Sequence, residues 1–146
     1  DFAVDDYMIY GAKALGASAV LLICSILEDA QLRDYLALAH ALGLSALVEA
    51  HDENEVQRAL TAGAKIIGVN NRDLKTFQVD MQNSIRLRNL ASREVLFVSE
   101  SGIKGPEEIS ILREHQVDAV LIGETLMRST DKKAELERLN GSPLKR

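Results

Sequence analysis

Two apolar segments that each end at a glycine are the part of this sequence that most clearly indicates chemistry. They are Val98-Ser99-Glu100-Ser101-Gly102-Ile103 and, about twenty residues on, Leu121-Ile122-Gly123-Glu124. Each leads into a helical pattern. Glycine lets backbone N–H groups approach a bound oxyanion, and the N-terminus of a following helix adds partial positive charge. Two such junctions in succession are typical of the phosphate site after the last two strands of a (βα)8 barrel. Alternatively, Gly102 and Gly123 only permit tight turns.

Polar side chains also stand at the ends of four successive apolar runs. They are Glu49, Asn70, Glu100 with Ser101, and Glu124. In a barrel, the C-terminal ends of the strands converge around one axis at the catalytic face, whereas in an open sheet they spread along an edge. These residues are therefore candidates for acid–base and hydrogen-bonding work. Taken singly, Glu49 could be a solvated carboxylate, and Asn70 could be a turn residue.

Five short apolar runs, with helical patterns between them, must position these residues. The runs cover 19–24, 45–48, 65–69, 94–98 and 119–122. A further helix precedes the first run, so the predicted order is α-(βα)×5 in a single domain over 1–146. The runs are almost continuously apolar, which is typical of parallel strands covered by helices. Asp52 with Glu55 resembles a capping box, and Ser129 or Thr130 is expected to cap the last helix.

A doubly wound open sheet and a (βα)8 TIM barrel both fit this order. The barrel is favoured because no G-x-G-x-x-G follows the first run and because the polar residues recur at the strand ends. Five strands cannot close a barrel that needs eight strands and typically ~250 residues. We therefore expect either an open sheet or the C-terminal portion of a barrel, with about five βα units and the preceding helix.

Composition excludes several classes of partner. The formal net charge is −5, without a run of basic residues, which argues against nucleic acid and anionic membrane surfaces. No apolar run approaches the ~18 residues of a membrane span, and the N-terminus lacks the pattern of a signal peptide. A cytoplasmic protein is the expectation.

The single cysteine and the three histidines suggest no further chemistry. Cys24 lies in an apolar run and is expected to be a small buried hydrophobe. His40, His51 and His115 show no metal-ligand spacing, so we interpret them as structural or solvent-facing. Neither a metal nor a cofactor is expected.

Four strand-end motifs resemble those of indole-3-glycerol phosphate synthase. They are Leu47-Val48-Glu49-Ala50-His51, Ile67-Gly68-Val69-Asn70-Asn71-Arg72-Asp73-Leu74, the segment from Val98 to Ile103, and Leu121-Ile122-Gly123-Glu124-Thr125-Leu126-Met127. Asp1-Phe2 and Asp5-Asp6-Tyr7 also resemble the segment after that family's third strand. The resemblance implies strands four to eight of a (βα)8 barrel and a lyase of tryptophan biosynthesis. That enzyme converts 1-(2-carboxyphenylamino)-1-deoxyribulose 5-phosphate to indole-3-glycerol phosphate, with release of carbon dioxide and water.

The resemblance also implies roles for individual residues. Glu49 matches a carboxylate that shuttles a proton, and Asn70 matches a residue that hydrogen-bonds the substrate. Arg72 matches the residue that faces the carboxylate side of the substrate, and it could alternatively pair with Asp73. Substrate-binding positions near the catalytic lysine match Glu100 and Ser101, and phosphate-binding positions match Gly102, Gly123 and Glu124.

One departure from the family pattern bears on activity. In the family, the general-acid lysine comes directly before the Asp-Phe pair that Asp1-Phe2 resembles, and the first strands carry another catalytic glutamate and a phosphate-side lysine. No residue of this sequence matches those positions. We therefore expect this chain to be inactive alone, and to need a complementing N-terminal barrel segment or to self-associate through its open edge. Two alternatives remain: another phosphate-binding barrel enzyme, such as a sugar-phosphate isomerase, and a non-catalytic barrel fragment.

Overall fold

The computed structural model describes residues 2–73 and 75–141, so Asp1 and Leu74 of the motifs above lie outside the described residues. Strands and helices alternate along the chain. In order they are α1 (Asp6–Ala14), β1 (Ala19–Ile23), a 3-10 turn (Cys24–Ile26), α2 (Asp29–Ala41), β2 (Ser45–Ala50), α3 (Glu53–Ala62), β3 (Ile66–Asn70), α4 (Gln82–Arg88), β4 (Leu96–Glu100), α5 (Pro106–Glu114), β5 (Ala119–Leu121), α6 (Glu124–Arg128) and α7 (Lys132–Asn140).

The five strands form one parallel sheet whose spatial order is the chain order, β1-β2-β3-β4-β5. Crossover connections between parallel strands are right-handed, and an order that never reverses therefore places every connecting helix on the same face. A doubly wound sheet reverses its order and carries helices on both faces. The predicted fold class is therefore confirmed: the chain is part of a (βα)8 barrel.

The hydrophobic core lies between the sheet and the helices. Alternate strand residues such as Leu22, Val48, Ile67 and Phe97 are fully buried and belong to one cluster. The same cluster contains residues from the inward faces of the helices, among them Ile9, Leu32, Leu36, Val56, Leu87, Ile109, Leu112 and Leu139. Because successive side chains of a strand point to opposite faces, the residues between these positions face the other side of the sheet.

That other side, which we call the open face, corresponds to the interior of a closed barrel. Its residues include Leu47, Gly68 and Val98, and two of its apolar side chains on the last strands, Leu96 and Leu121, are 52% and 48% exposed. Within the part of the chain that the structure describes, β1 and β5 are edge strands. The described part of the chain therefore leaves these open-face side chains exposed.

The helix caps follow the sequence with two corrections. Asp5 caps α1, and Asp52 Oδ1 accepts from Glu55 N at 2.9 Å, as a capping residue should. The Glu55 carboxylate, however, accepts from His51 N rather than from Asp52 N, so the predicted capping box is incomplete. The last helix is capped by Asp131, whose Oδ1 accepts from Ala134 N at 3.0 Å, and not by Ser129 or Thr130. A carboxylate accepts more strongly than a hydroxyl, which explains the choice of Asp131.

Cys24 is buried at the end of β1, as the sequence predicts. Burial, with the nearby Glu55 carboxylate, raises the pKa of this thiol to about 12. A thiol that stays protonated is a poor nucleophile.

Among the described residues, no helix is both long enough and apolar enough to cross a bilayer.

Candidate active site

Three adjacent strands bring Glu49, Asn70 and Glu100 together on the open face. Asn70 Nδ2 donates to Glu49 Oε1 at 3.2 Å, and Asn70 is the register partner of Glu100 across β3 and β4. Glu49 is paired in turn with Gly68 across β2 and β3. The strand ends thus place two carboxyl groups and one amide within reach of a single substrate.

Gly68 is what admits Glu100 to this cluster. A Cβ atom at position 68 would collide with Glu100 Oε1 and would lie 2.9 Å from the carboxyl carbon. Only glycine leaves that space free, because every other residue carries a Cβ atom over the sheet. The motif around Asn70 therefore contributes the space for the Glu100 side chain, at Gly68, as well as the amide of Asn70.

The two carboxyl groups differ in protonation. Burial tends to raise the pKa of Glu49, but the contact with His51 and the hydrogen bond from Asn70 outweigh it, and the pKa is lowered. Burial and then the charge of Glu49 raise the pKa of Glu100 to about 7. Glu100 Oε1 is buried and has no hydrogen-bond partner among the residues that the structure describes. Paired groups whose pKa values are pushed apart are the usual arrangement for acid–base chemistry.

His51 belongs to this cluster, and sequence reasoning missed it. Its Nε2 lies 3.2 Å from Glu49 Oε1, and its Nδ1 lies 3.0 Å from Glu55 Oε2. The side chain is only 19% exposed. Contacts with Glu49 and then Glu55 raise the pKa of His51 to about 10. The available signal was the spacing Glu49-x-His51-x-x-x-Glu55, which puts two carboxylates beside one imidazole.

A second group of site residues surrounds a cavity of about 770 Å³ beyond β4 and β5. Its lining includes Ser101, Gly102, Gly123, Glu124 and Arg72. Gly102 has φ +85°, and a Cβ atom there would also collide with Val79. Space beside Gly123 is open. The predicted glycines therefore border one concavity, although Gly102 is also required by its backbone conformation.

Two arginine side chains form ion pairs with the carboxylate of Glu124, which lines this cavity. Arg72 Nη2 lies 3.1 Å from Glu124 Oε2, and Arg128 Nη2 lies 3.1 Å from Glu124 Oε1. The partner of Arg72 is thus Glu124, not the neighbouring Asp73. Thr125 Oγ1 donates to Ile103 O at 2.6 Å and so ties α6 to the loop after β4. Lys104 is exposed on the same rim.

A buried polar network holds the loop that carries Ser101. Asn71 Nδ2 donates to Ser99 Oγ at 3.0 Å and to Ser101 O at 3.1 Å, and Asn71 Oδ1 accepts from Ser84 N and Ser84 Oγ. Ser101 has φ +66°, a conformation that non-glycine residues rarely adopt. The network holds this backbone in place, and nothing in the local sequence pattern indicates this role for Asn71.

The two parts of the site meet at Arg72. A second cavity, of about 730 Å³, is lined by His51, Glu55, Asn70, Asn71 and Arg72. Arg72 also borders the cavity of the two glycines, so an elongated molecule could contact both cavities.

Within residues 2–73 and 75–141, no group of three His, Cys, Asp or Glu side chains is arranged to hold a metal ion.

Comparison with solved structures supports the fold. The chain superposes on 3-hexulose-6-phosphate synthase from Salmonella typhimurium with a TM-score of 0.80 at 14% identity, covering 96% of this chain and 68% of that one. Thiamine phosphate pyrophosphorylase from Pyrococcus furiosus gives 0.72 at 16% identity, with 91% and 62% covered. At such low identity these similarities concern the fold alone.

Sequence comparison identifies the family. The family model for indole-3-glycerol phosphate synthase matches residues 1–139. The enzyme of that name from Ruminiclostridium cellulolyticum is 58% identical over 97% of this chain and 55% of its own length, and the one from Leuconostoc mesenteroides is 53% identical over 97% and 54%. The chain therefore spans about half the length of the curated relatives it matches. On this evidence it belongs to the indole-3-glycerol phosphate synthase family.

Proposed function

We propose that this chain supplies strands four to eight, and with them half of the active site, of an indole-3-glycerol phosphate synthase. The reaction is ring closure, decarboxylation and dehydration of 1-(2-carboxyphenylamino)-1-deoxyribulose 5-phosphate. The observation that carries the proposal is the cluster of Glu49, Asn70 and Glu100 at three successive strand ends in a member of this family. It lies beside a cavity bordered by two glycines.

The glycine cavity is the proposed phosphate site. Backbone N–H groups at Gly102, Gly123 and Glu124 would donate to the phosphate oxygens, and the first N–H groups of a helix have no acceptor within that helix. Pairing with Arg72 and Arg128 offsets the charge of the Glu124 carboxylate, so it opposes an anion less. Arg72, between the two cavities, would face the carboxylate on the aromatic ring of the substrate.

The acid–base cluster fits the chemical steps. A general acid must protonate the carbonyl oxygen while the aromatic carbon attacks the carbonyl carbon, and loss of carbon dioxide then restores aromaticity. Dehydration next requires a base to remove a proton from the new ring and an acid to protonate the hydroxyl group, which leaves as water. Glu49, held ionised, would take that proton, and Asn70 would orient the substrate. In the family pattern, the lysine general acid belongs to the segment before Asp1.

Replacing Glu49 by glutamine tests the catalytic assignment. In a complete barrel containing this chain, kcat should fall by roughly 10²–10⁴, with a smaller change in KM, as expected for loss of a positioned acid–base group. Product is followed by the fluorescence of the new indole ring. Glu94→Gln, at an exposed loop position, is the matched control and should leave kcat unchanged. A fall of less than threefold in Glu49→Gln would remove Glu49 from the mechanism.

The phosphate site has a separate test. Gly123→Val adds a side chain to the open space of the cavity, so the folded variant should bind a phosphorylated substrate analogue more weakly. Binding by calorimetry needs no turnover. Equal affinity in the variant and the parent would mean that the anion binds elsewhere.

We further propose that the first three strands of a barrel cover the open face. Leu96 and Leu121 are about half exposed there, and exposed apolar edges recruit partners. Alone, the chain should form no product and should self-associate. Adding the complementing N-terminal segment should give a 1:1 complex that forms indole-3-glycerol phosphate. A stable monomer by light scattering at tens of micromolar, or an inactive well-folded complex, would contradict this.

A further inference from the structure

His51 is held from three directions at the end of β2. Its backbone N donates to Glu55 Oε2 at 2.8 Å, and its carbonyl accepts from Asn83 Nδ2 at 2.9 Å. Its ring then lies between the carboxylates of Glu49 and Glu55, both also largely buried. The ring position is therefore set by α3 and α4 as well as by the strand.

The protonation state of the ring follows from its neighbours. Ionised carboxylates only accept hydrogen bonds, and neutral imidazole carries one N–H. A neutral His51 would thus present a lone pair to one of two carboxylates at 3.0 and 3.2 Å. The doubly protonated ring donates to Glu55 through Nδ1 and forms an ion pair with Glu49 through Nε2. The contact between His51 Nε2 and Glu49 is not aligned as a hydrogen bond, so the attraction between these two side chains is electrostatic.

The other groups that face His51 do not replace this role. Asn70 supplies Glu49 Oε1 with a neutral donor from β3. Glu100, on β4, approaches Glu49 with a carboxyl group, which carries no positive charge and so cannot serve as its counter-ion. The charged groups that share the cavity with His51 are Asp52, Glu55, Arg72, Asp73, Lys75 and Asp80. Of all these, His51 is the cation in contact with Glu49.

We propose that His51 is a positioning residue for Glu49: doubly protonated and anchored by Glu55, its ring fixes the Glu49 carboxylate on the substrate side of β2. The catalytic consequence rests on the proposed function, whereas the contact between the two side chains does not. Removing the ring leaves Glu49 beside Glu100 without its cation. The carboxyl group of Glu49 should then hold its proton to higher pH.

The test compares His51→Gln with His115→Gln, in which an exposed histidine at the end of α5 is replaced. The Glu49 side-chain carboxyl is followed by ¹³C NMR over pH in this chain, with Glu49→Gln used to assign its signal. We expect the Glu49 midpoint to rise by about one pH unit in His51→Gln, at the low end of the shift an adjacent opposite charge produces. His115→Gln should leave it unchanged.

The same variants in the complete barrel test the catalytic consequence. The acidic limb of kcat against pH should move up by about one unit in His51→Gln, which well below both midpoints is a tenfold loss of kcat. KM should change less than kcat, because the role assigned to His51 is to hold the Glu49 carboxylate rather than to bind substrate. Glu55→Gln keeps the ring but removes its anchor, so it should shift the same limb in the same direction by less. This variant keeps the proposal testable if His51→Gln folds poorly.

Two results would overturn the inference: an unchanged Glu49 midpoint in folded His51→Gln, or a ring of His51 that titrates below pH 7 in the unaltered chain. A shifted Glu49 midpoint in this chain, together with a complete barrel that makes no product, would separate the two proposals. It would support the positioning contact and refute the proposed function.

Discussion

Glu100 should make this protein less stable as pH rises through neutrality. Burial and the charge of Glu49 raise the pKa of Glu100 from 4.5 to about 7. Between these pH values the unfolded chain has lost a proton that the folded chain retains. Stability is therefore highest, as far as this group is concerned, below pH 4.5, and it is lost as pH rises towards and past 7. Glu100→Gln removes this loss because an amide does not titrate.

The size of the effect follows from the displacement of the pKa. Each unit corresponds to about 1.4 kcal/mol, so a displacement from 4.5 to about 7 predicts a difference of about 1–3 kcal/mol between pH 5 and pH 8.5. At pH 5 the variant and the parent should be similarly stable, because glutamine resembles the protonated acid in shape. At pH 8.5 Glu100→Gln should be more stable than the parent by that amount.

Urea unfolding followed by circular dichroism, at half-unit steps between pH 5 and 8.5, measures the difference. Glu94→Gln, at an exposed turn, is the control and should track the parent at every pH. Comparing variant with parent removes the contributions of His51 and Glu55, which both chains share. A difference between Glu100→Gln and the parent that stays constant across this range would refute the assignment of a neutral, buried Glu100.

Three further substitutions test the packing around the site. Asn71→Ala should lower the free energy of unfolding by about 1–3 kcal/mol, because it leaves buried Ser84 and Ser99 without their amide partner. The control Asn89→Ala, at an exposed position, should leave the free energy of unfolding unchanged, and urea unfolding measures both. Gly102→Ala should destabilise by about 1–3 kcal/mol, since its φ is +85° and Val79 blocks the added methyl, while Gly11→Ala, in open space within α1, should stabilise by about 0.5–1 kcal/mol. Cys24→Ala should reduce stability and leave the kcat of the complete barrel unchanged, and the native thiol should resist iodoacetamide at pH 8 until urea unfolds the chain.

Periodicity was enough to predict the strands and helices, whereas the choice of a barrel over an open sheet also rested on the strand-end residues and the family resemblance. Apolar runs of strand length that alternate with helical patterns predict the five strands, and polar residues at their ends predict which residues meet. Glu49, Asn70 and Glu100 lie together because the ends of parallel strands share one edge, which requires no knowledge of side-chain contacts. The glycines at 102 and 123 border one cavity for the same reason.

Contacts between side chains on different helices, strands and loops could not be predicted from the local sequence pattern. Glu55 at the third position of α3 has the sequence signature of a helix cap, and nothing local shows that its carboxylate turns back to the ring of His51. Arg72 stands beside Asp73 in sequence, yet it pairs with Glu124, which lies 52 residues away. The role of Gly68 depends on the length of a side chain on the next strand. Each of these contacts is fixed by tertiary packing, so local pattern cannot predict it.

The open face itself explains why the chemistry lies at one end of the sheet. Leu21, Leu47, Ile66 and Leu96 are successive register partners, so one row across the face is wholly apolar. Glu49, Asn70 and Glu100 occupy later rows, nearer the carboxyl ends of their strands. In a closed barrel the apolar row would form the dry floor, and the polar groups would stand above it at the mouth. Burial tends to raise the pKa of both Glu49 and Glu100, because charge is costly beside apolar walls unless a cation or a donor faces it. His51 and Asn70 contact the carboxylate of Glu49, whereas Glu100 Oε1 has no hydrogen-bond partner among the described residues, which is why Glu49 carries the charge and Glu100 retains the proton.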